Sequence, residues 1–160
     1  MNRDALLSEC GTYRYLLQRS WDVQLQAVCF IMLNPSTADA TQDDPTIRRC
    51  LGFAQRLGFG QLEVVNLFAL RATQPAALKI HTDPIGAEND EQIIAAAKVC
   101  HMTICAWGVH GSLNGRNGIV LKMLRSNNIQ PCALRLSKHG HPAHPLYLPY
   151  ELQPILMERK

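Results

Sequence analysis

The side chains of this sequence that could do chemistry gather in four short clusters. Asn34-Pro35-Ser36-Thr37 offers an amide, two hydroxyls and a proline that stiffens the corner. The same residues equally suit an ordinary turn that satisfies backbone groups before a helix. Asn66 sits inside the apolar run VVNLF, where an amide is costly unless it is hydrogen-bonded. It either serves a neighbouring loop or reads the paired donor and acceptor of a planar amide or nucleobase edge. Trp107-Gly108-Val109-His110 closes another apolar run, and Lys138-His139-Gly140-His141-Pro142-Ala143-His144 concentrates the imidazoles. A metal would need further ligands at suitable spacing, and no His-Glu-x-x-His pattern supplies them. A histidine that stabilises developing negative charge is the better chemistry for this cluster, and no metal or cofactor is expected.

Other charged residues have plainer readings. Asp43 and Asp44 are adjacent, and sequence neighbours seldom aim at one substrate, so helix capping is favoured over paired acid/base work. Arg48 and Arg49 follow on the same helix, as a solvated face or as phosphate ligands. Arg71 and Arg116 lie after a strand or at a helix start, as clamps for a phosphate or carboxylate or as members of structural salt bridges. No Gly-x-Ser-x-Gly elbow, Walker loop or Gly-x-Gly-x-x-Gly motif is present. Cys10, Cys29, Cys50, Cys100, Cys105 and Cys132 include no Cys-x-x-Cys pair, and read as free thiols in a reducing compartment.

The elements that must position these groups alternate. Residues 12–20 (TYRYLLQRS) are rich in strand formers. Residues 27–33 (AVCFIML) read as a buried central strand ended by Asn34-Pro35. Asp44 as N-cap and Pro45 at the first helical position open a helix that Gly58 stops, with Ile47, Cys50, Leu51, Ala54 and Leu57 on one face. Strands follow at 62–67, 102–107 and 131–136, with helices at 88–99 and 116–127; the latter presents Ile119, Val120, Met123 and Leu124 as its apolar residues. Residues 68–86 form a long connection, a candidate functional loop. Alternation at this spacing predicts right-handed crossovers and a parallel sheet covered on both faces. In such a sheet ligands bind at the carboxyl ends of the strands, where the clusters fall.

Composition narrows the classes. The 160 residues are 47% hydrophobic and 18% charged, enough apolar material for one domain spanning residues 1–160. No apolar run approaches the ~20 residues of a membrane span, and the N-terminal MNRDALLSEC has no apolar signal core. A cytoplasmic protein without a membrane partner is therefore expected. The net charge of +3 is spread along the chain, which permits nucleic-acid contact without demanding it.

The segments LNPSTAD, DDPTIRRC, VVNLFALRAT, DPIGAEND, AWGVHG and HPLYLP, in this order, closely resemble the domain-of-unknown-function family 1643 along nearly the whole chain. Four strand-end patches also resemble the uracil-DNA glycosylase superfamily more remotely: Leu33-Asn34-Pro35, Val65-Asn66-Leu67, Ala106-Trp107-Gly108 and His144-Pro145-Leu146. That likeness implies a three-layer α/β/α sandwich with a central, mainly parallel sheet. By the same likeness Asn34 would position or weakly activate water, and Asn66 would bond the edge of a flipped pyrimidine. His144 would stabilise charge on the departing base, and Leu146 would wedge into the vacated stack. Ser36, Arg71, Trp107 and His141 would line the same site. Met32-Leu33 stands where the superfamily has glycine, and position 34 carries no carboxylate. The expected ligand is a nucleobase, a nucleotide or DNA, with N-glycosidic hydrolysis as the possible reaction. A non-catalytic nucleic-acid- or nucleotide-binding module and an unrelated small-molecule hydrolase are the alternatives.

Overall fold

A computed structural model describes residues 1–158. The four apolar runs pair as parallel strands: β3 (Ala27–Met32), β4 (Gln61–Asn66), β5 (Met102–Cys105) and β6 (Pro131–Ala133). The sequence fragment before them supplies β1 (Asn2–Leu7) and β2 (Arg14–Ser20), an antiparallel pair that joins the sheet through β2 against β4. A short β7 (Ile155–Leu156) closes the other edge antiparallel to β6. The result is a mixed, seven-stranded sheet of order β1-β2-β4-β3-β5-β6-β7.

The helices are α1 (Pro45–Arg56), a four-residue α2 (Ala77–Ile80), α3 (Asn89–Val99) and α4 (Arg116–Ser126), with 3-10 turns at Val109–Gly115 before α4. Asp44 caps α1, its Oδ1 accepting from the Ile47 N–H at 2.9 Å, and Pro45 takes the first helical position as expected. Alternation along β3 sends its side chains into two cores. Val28, Phe30 and Met32 pack with Ile47, Cys50, Phe53 and Ala54 of α1. Cys29 and Ile31 pack with Ile93, Ala96 and Ala97 of α3 and Val120 and Leu124 of α4. A hydrogen bond donated to Cys100, and then burial, raises the Cys29 thiol above its ordinary range; burial alone is the main cause for Cys50 and Cys105.

Several expectations change in detail. β1 carries no buried residue, so it lacks the apolar pattern that would have announced it; backbone pairing to β2 places it. β6 ends at Ala133 rather than Leu136, and β5 at Cys105 rather than Trp107, although the Ala106 N–H still reaches Ile31 O at 2.8 Å. Ile119 on α4 is 51% exposed; Val120 and Leu124 carry the contact instead. The long connection holds α2, anchored by buried Leu78. Among the described residues no helix is long and apolar enough to cross a membrane.

Candidate functional site

The carboxyl ends of β3, β4 and β5 open into a cavity of about 440 Å³ roofed by the start of α1. Asn34, Ser36, Asn66, Trp107 and His144 all line it. Four stretches of chain far apart in sequence thus deliver polar groups to one rim, the place where a parallel sheet presents its ligands.

Asn66 is the last residue of β4 and is 1% exposed. Neither its Oδ1 nor its Nδ2 has a hydrogen-bond partner in the protein. Its backbone is held firmly: Asn89 at the start of α3 donates through Nδ2 to Asn66 O (2.9 Å) and Leu67 O (3.0 Å). Buried Arg116 adds a bond from Nε to Leu67 O at 2.9 Å, and Asp90 pairs with its Nη2. The chain therefore bonds the Asn66 and Leu67 carbonyls and leaves the Asn66 side chain itself unbonded, an arrangement that costs about 1–3 kcal/mol.

His144 arrives on the segment after β6. The Gly108 N–H bonds to Pro142 O at 2.8 Å, tying this segment to the Trp107 turn. Arg49 of α1 holds its far side, donating from Nε to Pro145 O at 3.3 Å and from Nη2 to Leu148 O, with its guanidinium 3.9 Å from the Tyr150 ring centre. The Leu146 N–H donates to His144 Nδ1 at 3.1 Å, so a neutral ring carries its proton on Nε2. Burial lowers the His144 pKa below its ordinary value, with the Asp44 charge acting weakly in the other direction. His144 is thus a neutral donor at neutral pH. Tyr147 next to this segment is 91% exposed and has φ of +71°.

Asn34 reaches the rim but its Nδ2 is committed to the protein, donating to Ala72 O (2.8 Å) and Pro35 O (3.0 Å). Its Oδ1 remains as the group it can offer. Trp107 is buried, and its Nε1–H has no partner. The 3-10 turn packs so closely on this indole that a Cβ at Gly111 would lie 2.1 Å from Trp107 Cδ1; only glycine fits there.

The cavity also holds one Asp and one Arg that the sequence does not mark for this role. Asp44 does cap α1, and it also lines the cavity; its Oδ2 accepts from the Ala38 N–H at 3.3 Å. Arg14, the first residue of β2, lines it too. β2 runs antiparallel to β4, so its beginning falls at the end where the parallel strands finish. An arginine opening a strand of apolar neighbours was the available signal.

Three expected residues fall elsewhere. Arg71 lies in a separate depression with Thr37, its Nε 3.4 Å from Ser36 O. His141 lines a larger depression of about 950 Å³ beside α4, together with His139, so the imidazole cluster divides between two places. The Leu146 side chain is half-buried and does not line the cavity; its backbone N–H orients His144 instead. Among the described residues no three His, Cys, Asp or Glu side chains come together as a metal would require.

The chain belongs to the protein family of unknown function DUF1643, whose sequence model matches residues 14–146. No curated protein and no solved structure matches it.

Proposed function

We propose that the cavity at the ends of β3, β4 and β5 recognises a nucleobase, and that Asn66 reads its edge. The observation that carries this reading is the Asn66 side chain: 1% exposed, on a fixed backbone, with donor and acceptor both unpartnered. A carboxamide presents one donor and one acceptor side by side, the complement of the amide or imide edge of a base. Trp107 lines the same cavity, and its indole N–H likewise has no partner in the protein. The volume of about 440 Å³ lies at the lower end of small-molecule sites, which run from about 300 to 1,000 Å³. The two cores on opposite faces of the sheet support an α/β/α layering like that of the uracil-DNA glycosylase superfamily.

The His144 tautomer favours a second, catalytic reading of the same pocket: cleavage of an N-glycosidic bond. A neutral imidazole with its proton on Nε2 stabilises an anion without neutralising it beforehand. In that reaction the carbon–nitrogen bond electrons leave with the base, towards His144. A water oxygen bonds to the anomeric carbon, and its proton passes to an acceptor. At the rim the Asp44 carboxylate is the group that can take that proton, and Asn34 Oδ1 can accept a hydrogen bond from the water and orient it. Each Asp44 oxygen takes one backbone N–H and retains a lone pair for a water.

Ligand-observed NMR with free uracil, cytosine, thymine and adenine tests the recognition. Wild-type protein is expected to bind at least one base, and Asn66→Leu to bind none. Binding that survives in Asn66→Leu would defeat the reading. Uracil-containing single- and double-stranded DNA tests the catalytic version: abasic sites are expected with wild type and are lost in His144→Ala and Asn34→Ala.

A further inference from the structure

Arg14 is a buried cation without a counter-ion. It is 2% exposed, and the one hydrogen bond of its guanidinium runs from Nη1 to the Ala38 carbonyl at 3.0 Å. Its Nε–H has no partner in the protein. Among the described residues only Arg19 and Arg116 form ion pairs with carboxylates, to Asp43 and Asp90. Asp44 is the carboxylate whose charge acts on Arg14, yet it makes no ion pair with it; its two oxygens each accept one backbone N–H, from Ile47 and Ala38. Burial lowers the Arg14 pKa to about 10, so it still carries its charge at neutral pH.

Proteins seldom keep such a group: an uncompensated buried charge is strongly destabilising unless something pairs with it. The other two buried arginines show what the fold does when the role is structural, for each has its carboxylate. Arg14 lines the same cavity as Asn66 and His144. A guanidinium presents its Nε–H and an Nη–H in a fork that matches the two oxygens of a carboxylate or phosphate. The cavity also exceeds what a lone pyrimidine needs, leaving room for a substituent beside the base.

We propose that the ligand of this pocket is a nucleobase compound carrying an oxyanion, bound with its anionic group on the Arg14 guanidinium and its base edge on Asn66. The oxyanion is either a carboxylate on the base or the phosphate of a nucleotide. This rests on the nucleobase reading above and adds the charge of the ligand.

Isothermal titration with uridine, uridine 5′-monophosphate, uracil, a carboxylated uracil (orotate) and inorganic phosphate separates the possibilities. At least one anionic compound is expected to bind about tenfold more tightly than its neutral parent, the worth of one charge-assisted hydrogen-bonded contact. Preference for the monophosphate over uridine identifies a phosphate, and preference for orotate over uracil a base carboxylate. The advantage should vanish in Arg14→Met and survive in part in Arg14→Lys. The wild-type comparison stands even if Arg14→Met fails to fold. Equal binding of uridine and its monophosphate, and of uracil and orotate, would overturn the inference while leaving the nucleobase reading intact. Binding of inorganic phosphate that depends on Arg14, without binding of any base, would overturn the nucleobase reading, and with it the base-bearing part of this inference. No binding at all would overturn both.

Discussion

Asn66 separates a functional amide from a structural one by the sign of a stability change. A structural asparagine gives up hydrogen bonds when replaced, and the protein weakens. Asn66 has none to lose within the protein. Asn66→Leu, similar in size and apolar, removes the desolvation cost of the buried amide, which is of order 1–3 kcal/mol. Its thermal midpoint should equal or exceed that of wild type while base binding disappears; a fall of several degrees would mark the amide as structural. His144 makes a prediction in pH. Its folded-state pKa lies below the ordinary value near 6.5 because of burial, so the unfolded chain binds the proton more readily. The stability it contributes is full above pH about 6.5 and is lost as pH falls through the folded pKa. Urea denaturation of wild type between pH 8 and 5 should therefore weaken more steeply than that of His144→Asn; parallel curves would contradict the buried neutral ring.

At the scale of elements, α1 does two jobs. Its N-terminus, capped by Asp44, forms one wall of the cavity, and Arg49 on its next turn holds the His144 segment through Pro145 O and Leu148 O. The same segment leans on the helix through Tyr150, whose ring lies so close to Gly52 that a Cβ there would come within 2.5 Å of it. Gly52→Ala should push the Tyr150 ring away and free Arg49, although alanine favours the helix itself by roughly 1 kcal/mol. Hydrogen exchange at Leu146, whose N–H orients His144, is the measurement. Faster exchange in Gly52→Ala and Arg49→Ala is expected, and unchanged protection would show that the segment is fixed by other contacts. The elements legible in the sequence were those with a buried face: β3, β4, β5 and α1 declared themselves through apolar runs or 3.6-residue spacing. β1 did not, because none of its residues is buried and its first three are all exposed. The end of β6 was misjudged because Leu134 stays buried after the ladder has ended.

For the whole molecule, one sheet collects strands from both ends of the chain, with β1 on one edge and β7 on the other. We expect the protein to unfold in a single cooperative step. Tryptophan emission, from Trp21 packed on one core and Trp107 in the other, should follow the same urea curve as far-ultraviolet circular dichroism; separated midpoints would show independent units. The convergence of Asn34, Ser36, Asn66, Trp107 and His144 was legible because a parallel sheet fixes which end of each strand faces a ligand. Arg14 was not, because it depends on β2 running the opposite way, which only strand pairing decides. Arg71 and His141 follow strands as well, yet the paths of their loops carry them to other surfaces; spacing along a chain does not encode the direction of a loop.

The most direct measurement is the side-chain amide resonance of Asn66 in ¹⁵N-labelled protein, assigned by its loss in Asn66→Leu and followed while uracil and uridine 5′-monophosphate are added. Binding at this edge predicts a saturable shift of both Nδ2 protons, with the Trp107 indole resonance moving in step. An Asn66 signal that stays in place while ligand saturates other residues, or while none saturates, would contradict the account.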